Sequence, residues 1–250
     1  MAPSAEKESL MNRFKSIISP DGFFSRENKK STIILLSAPV ILTTFKYFGM
    51  KNFYLNHLAP TFVFFENSEL TSALYTFFAS FILLGWIPAL IIKFVFHEPL
   101  SVFGVQLGDI RFGTKSFLLI SPVMIALTYL SSRTEPFLLE YPLYKGASSS
   151  LWMFTVYSLS YLMFYLGWEF FFRGYMQFGL EGAFGGWNAI LVQTLASCLL
   201  HIGKPPAEIY GSILGGIVWG MMVWRGHSLL FVILLHWLLG VSLDVCISYF

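Results

Sequence analysis

Several ionisable side chains of this chain stand inside long apolar runs, where charge is costly and by default marks a functional site. The clearest run is Gly167-Trp168-Glu169-Phe170-Phe171-Phe172-Arg173-Gly174. Glu169 and Arg173 stand at i and i+4, so a helix places them on one face, where they can pair. His201 closes the run Leu195-Ala196-Ser197-Cys198-Leu199-Leu200, and Glu208 follows the break Lys204-Pro205-Pro206. His236 lies in Leu234-Leu235-His236-Trp237-Leu238, and Asp244 in Val241-Ser242-Leu243-Asp244-Val245. A carboxyl near an imidazole in a low-dielectric cavity can activate water as a general base. Two His and a carboxylate, here His201, His236 and Glu169, can instead hold a divalent metal such as zinc with one position open. Both routes lead to hydrolysis within a membrane, and the residues alone leave both open. A purely structural ion pair is the competing reading for Glu169 and Arg173, and simple packing for each lone His.

The elements that carry these residues are membrane helices. Of 250 residues, 56% are hydrophobic and only 12% charged, with 27 Phe. Mean hydropathy is +0.66. Soluble domains carry about 25% charged residues, so this chain lacks the charge to coat a water-facing surface. The composition also excludes a disordered chain and a secreted disulfide scaffold. A net charge of +2 with no basic stripe excludes a nucleic-acid partner. Cys198 and Cys246 lie in apolar stretches and read as small buried hydrophobes. No apolar core precedes Ser31, so the first membrane helix is expected to serve as its own insertion signal.

At about 20 apolar residues per span, seven segments qualify, near 32–50, 70–96, 116–132, 150–180, 187–203, 207–225 and 227–248. The expected fold is all-α and polytopic. It divides into an N-terminal segment over 1–31, N-terminal membrane helices over 32–149 and a catalytic core over 150–250. The first segment is interrupted by Pro39 and Lys46, and Lys46 and Lys93 are expected to snorkel to the interface. The Phe-rich run at 62–65 reads as lipid-facing or core packing. Lys7, Arg13, Lys15, Arg26, Lys29 and Lys30 place the N-terminus on the cytoplasmic side, with a bacterial inner membrane as the expected setting.

Hairpin arithmetic says which groups meet. Turns near 184–185, 204–205 and 226 put Glu169, His201, Glu208 and Asp244 in one layer at 1.5 Å rise per residue. On untilted helices His236 falls about 12 Å deeper.

Residues 150–248 resemble the CPBP intramembrane proteases, which include the type II CAAX prenyl endopeptidases. That family carries EExxxR on one helix, FxxxH on the next and HxxxN or HxxxD on the last. Glu169 and Arg173 match the second Glu and the Arg, Gly174 the glycine that often follows, and His201 and His236 the two His. Gly211, Gly215, Gly216 and Gly220 resemble the family's Gly-rich helix, and close helix packing explains them equally. Trp168 stands where the family's first Glu activates water, Ser197 replaces the Phe, and Gly240 replaces the Asn or Asp. Asp244, one turn on, and Glu208 are the carboxylates left to substitute. The resemblance implies a membrane-embedded protease acting on a peptide or on a prenylated or lipidated protein, among membrane lipid. In it Glu169 is base or metal-linked carboxylate, Arg173 holds Glu169, and His201 and His236 bind metal or stabilise the oxyanion. The alternative is a catalytically inactive binding protein or chaperone, because Glu169 is rotated about 100° from position 168.

Overall fold

The computed structural model describes residues 28–62 and 67–250, together with positions 12 and 15. Most of the basic N-terminal segment and most of the 62–65 run therefore lie outside the described residues. Among the described residues all regular structure is helical.

Six helices are long and apolar enough to cross a membrane. Helix α1 is Lys29–Phe48, which keeps Pro39 inside it. Helix α2 is the continuous stretch Ser68–Phe96, and α3 is Ile110–Ser131. Helix α4, Leu151–Glu169, runs on through a π-helical stretch, Phe170–Phe178, into α5, Gly179–Leu200. Helices α6, Pro206–Gly226, and α7, Leu230–Tyr249, complete the bundle. Local sequence sets several starts: the side chains of Asn67, Asp109 and Ser150 accept backbone N–H groups of the first turns of α2, α3 and α4.

The stretch from Leu151 to Leu200 is 50 residues of helix, yet it is not one rod. Gly185 adopts φ 75°, ψ 156°, a conformation open essentially only to glycine. The Trp168 and His201 rings lie 5.3 Å apart, centroid to centroid. Along a straight helix they would be about 50 Å apart. The chain therefore doubles back at Gly185, so the six long helices among the described residues form seven rods. The protein is an integral, multi-pass, all-α membrane protein.

Polar contacts gather at the two ends of the bundle. At one end Lys30 pairs with Glu98 at 2.7 Å, Arg225 with Asp109 at 3.4 Å, and the Trp224 indole donates to Glu181. At the other end Asn67 donates to the Tyr144 hydroxyl, Arg133 to the Phe250 carbonyl and Lys204 to Glu140. Between them lie two aromatic-rich cores, one centred on Trp168, Phe171, Phe172 and Tyr175, the other on Phe77, Tyr157, Tyr161 and Tyr165. The boundary between the cores is where the charged residues meet.

Candidate active site

Glu169 ends α4 and is fully buried at 0% exposure. Its Oε1 accepts from Arg173 Nη1 at 3.2 Å and lies 2.6 Å from His236 Nδ1. Arg173 sits one turn on, in the π-helical stretch, with its guanidinium 5.5 Å from the Trp219 ring centroid. Such wide turns inside a helix are often found at functional sites. His236 comes from α7, and its ring is flanked by Trp219 of α6 at 4.4 Å and Tyr165 of α4 at 4.5 Å. Glu169 Oε2, Arg173 Nε and Trp168 Nε1 have no hydrogen-bond partner among the described residues.

The contact of Glu169 with His236 corrects the depth expected from hairpin arithmetic. That arithmetic treated the helices as parallel, untilted rods connected in series. In the structure α4 packs on α7 directly. The close pairs Tyr165–His236 and Phe154–Tyr249 set the antiparallel register of these two helices. This brings His236 level with Glu169. It also moves Asp244, eight residues further along α7, about 12 Å away.

The shared layer of four groups is therefore not formed. Glu208 accepts from the Tyr141 hydroxyl through both oxygens, each at 2.9 Å, close to where Lys204 pairs with Glu140. Asp244 is buried beside Tyr157 and Tyr161. His201 meets the Trp168 ring edge-on, and its Nδ1 lies 2.8 Å from the Ser197 carbonyl. Lys46 is exposed in the last turn of α1. It donates to the carbonyls of Leu200 and Ile202 at the end of α5.

The expected metal set is also not assembled. Among the described residues no three His, Cys, Asp or Glu are grouped so as to hold a metal ion. Trp168 packs edge-on against His201, and Glu169 Oε1 is already shared by Arg173 and His236. The donors present do not fit a zinc site.

Outside the membrane passes, burial holds the Tyr141 phenol well above its usual range, with the Glu208 carboxylate adding to the effect. Burial lowers Lys145, helped by Lys51. Its ammonium donates to the carbonyls of Leu138 and Tyr141.

Residue-by-residue reading missed Tyr165, Trp219 and Tyr141. A signal existed for Tyr165: Tyr157, Tyr161 and Tyr165 recur every fourth residue, which lines them along one face of α4. Trp219 and Tyr141 lie in stretches of otherwise ordinary aromatic content.

The fold and site define a polytopic membrane protein whose last four passes enclose a buried carboxylate, guanidinium and imidazole. Residues 147–242 match the family model described as type II CAAX prenyl endopeptidase Rce1-like. No curated protein and no solved structure matches the chain. The matched residues span nearly all of α4 to α7, and over them the chain is CPBP/CAAX protease-like.

Proposed function

We propose that this protein is a membrane-embedded endopeptidase of the CAAX type in which His236, oriented by Glu169, activates the attacking water. The observation that carries this reading is the 2.6 Å contact between Glu169 Oε1 and His236 Nδ1. A carboxylate accepting from Nδ1–H fixes the imidazole tautomer and leaves Nε2 with its lone pair. Arg173 holds that carboxylate in place. Nε2 then takes a proton from water as the oxygen attacks the scissile carbonyl, and returns it to the leaving amine. Exposure favours the imidazole as the base. The Glu169 side chain is sealed at 0%, whereas the His236 side chain retains 13%. The reachable group is the imidazole, which answers the loss of a carboxylate at position 168.

The expected substrate is a prenylated peptide or protein. An apolar groove of about 550 Å³ opens sideways between α2 and α7, lined by Trp86, Leu107, Phe170, Leu229 and Ile233. Phe170 adjoins Glu169, and Ile233 lies one turn from His236, so a lipid chain in the groove brings its peptide to the imidazole. The site lies about 10 Å from the start of α7, on the face that carries the N-terminus. The basic residues before Ser31 support a cytoplasmic position for that face.

The test is cleavage of a farnesylated CAAX peptide by purified protein in nanodiscs, followed by mass spectrometry of the released tripeptide. His236→Ala and Glu169→Gln are each expected to lower kcat about 10²-fold or more. Cleavage retained in both variants overturns the mechanism. Binding without cleavage by the wild type supports the binding-protein alternative.

A further inference from the structure

The last helix has a gap one turn after His236. A Cβ at Gly240 would collide with the Tyr165 hydroxyl, and would also press on Tyr165 Cζ at 3.0 Å and Tyr161 Cε1 at 3.2 Å. The space a side chain would fill is therefore taken by a tyrosine from α4. Tyr165 is 3% exposed, and its ring meets the His236 ring at 4.5 Å with a 44° tilt. Trp219, from α6, meets the same imidazole at 4.4 Å. Glu169 fixes only one atom of that imidazole. A single hydrogen bond leaves the ring free to swing about it, and the two aromatic faces remove that freedom.

We propose that Tyr165 is a positioning residue for His236, and that Gly240 is the opening in α7 that lets Tyr165 reach it. The inference rests on the reading of His236 as the base. Tyr165 acts through its ring, which packs on the imidazole. Its hydroxyl occupies the Gly240 gap and sets how far the ring slides along α7. The absent side chain at position 240 is thus part of the site, because any side chain there pushes Tyr165 off His236. Misplacing a reacting group by about 1 Å can cost about 10²-fold in rate.

The severest collision is with one atom, the Tyr165 hydroxyl oxygen, and this yields a suppressor test. Gly240→Ala meets the Tyr165 hydroxyl; Tyr165→Phe removes that oxygen and keeps the ring. The four proteins needed are wild type, Gly240→Ala, Tyr165→Phe and the double variant, each in nanodiscs. One readout is the ¹⁵N NMR signal of the His236 ring, assigned by its loss in His236→Gln, which reports the tautomer without any substrate. The other is kcat and KM on the farnesylated CAAX peptide.

Gly240→Ala is expected to mix the His236 tautomers and to lower kcat about 10²-fold, with KM within about twofold. Tyr165→Phe is expected to lose about threefold, and the double variant to return to that level. Tyr165→Leu, which adds no bulk, is expected to mix the tautomers as Gly240→Ala does, so the test survives if Gly240→Ala does not fold. An unperturbed His236 signal in Tyr165→Leu overturns the proposal. So does a double variant as impaired as Gly240→Ala. If the wild type cleaves nothing but the His236 signal follows this pattern, the positioning role stands and the protease reading falls.

Discussion

Glu169 and Arg173 are both almost completely inaccessible, and what their pairing does depends on which partner is removed. A buried ion pair gains little over apolar residues of the same shape, because both charges lose their hydration. Removing one partner is different, since it strands the other charge. Arg173→Met leaves the Glu169 carboxylate with His236 alone and is expected to cost about 3–5 kcal/mol. The double variant Glu169→Gln, Arg173→Met is expected to recover much of that loss. Reversible unfolding in mixed micelles measures both, and a single variant as stable as the double would show that no charge is stranded. At this scale the sequence was informative where chemistry is local. The i, i+4 spacing of Glu169 and Arg173 announces their pair. The partnership with His236 does not show in the sequence, because 67 residues and the register of α4 on α7 separate them. Trp168 was legible as a departure, and its consequence, an indole packed edge-on against His201, needed the fold.

The helices were legible because a membrane pass has a length and a composition, and the turn near 184–185 because it falls between two such runs, 150–180 and 187–203. Their tilts were not, since tilt comes from packing between helices, which no single segment encodes. Glu208 shows the consequence. Placed by depth alone it belongs with His201, yet the cis Tyr141-Pro142 loop brings Tyr141 to it. This bond ties the loop between α3 and α4 to the start of α6. Its loss in Tyr141→Phe is expected to cost about 1.5 kcal/mol at neutral pH, a hydrogen bond to a carboxylate. The tie is also sensitive to alkali. An unfolded tyrosine ionises at a pKa of about 10, whereas burial and Glu208 hold Tyr141 well above that in the folded protein. Above pH 10 the unfolded chain therefore sheds a proton that the folded protein keeps, and stability falls as pH rises. Thermal unfolding against pH is expected to show a shallower decline in Tyr141→Phe. An identical decline in both proteins would mean that Tyr141 does not keep its proton on folding.

On the scale of the whole molecule, seven passes put the two ends of the described chain on opposite faces. Lys30 lies with Glu98, Asp109 and Arg225 at one end, and Phe250 with Arg133 at the other. The pass that decides this is the shortest. From Gly185 to Leu200 the returning arm spans about 23 Å, less than a hydrocarbon core of about 30 Å. A helix that stops short leaves carbonyls with no water to satisfy them. Lys46 meets this need, since its ammonium reaches the carbonyls of Leu200 and Ile202 from α1. Lys204 next to them pairs with Glu140 at 2.6 Å, so the short end carries its own polar partners. The arm therefore crosses as a full pass instead of forming a re-entrant loop. Cysteines placed singly next to Lys30 and at Phe250, in a variant lacking Cys198 and Cys246, are expected to react with an impermeant maleimide from opposite sides of sealed vesicles. Labelling from the same side would make the segment after Gly185 re-entrant and reverse the orientation of α6 and α7. Lys46→Met is expected to leave the topology intact but to lower stability more in thick-chain than in thin-chain lipid, because mismatch at the short arm grows with bilayer thickness.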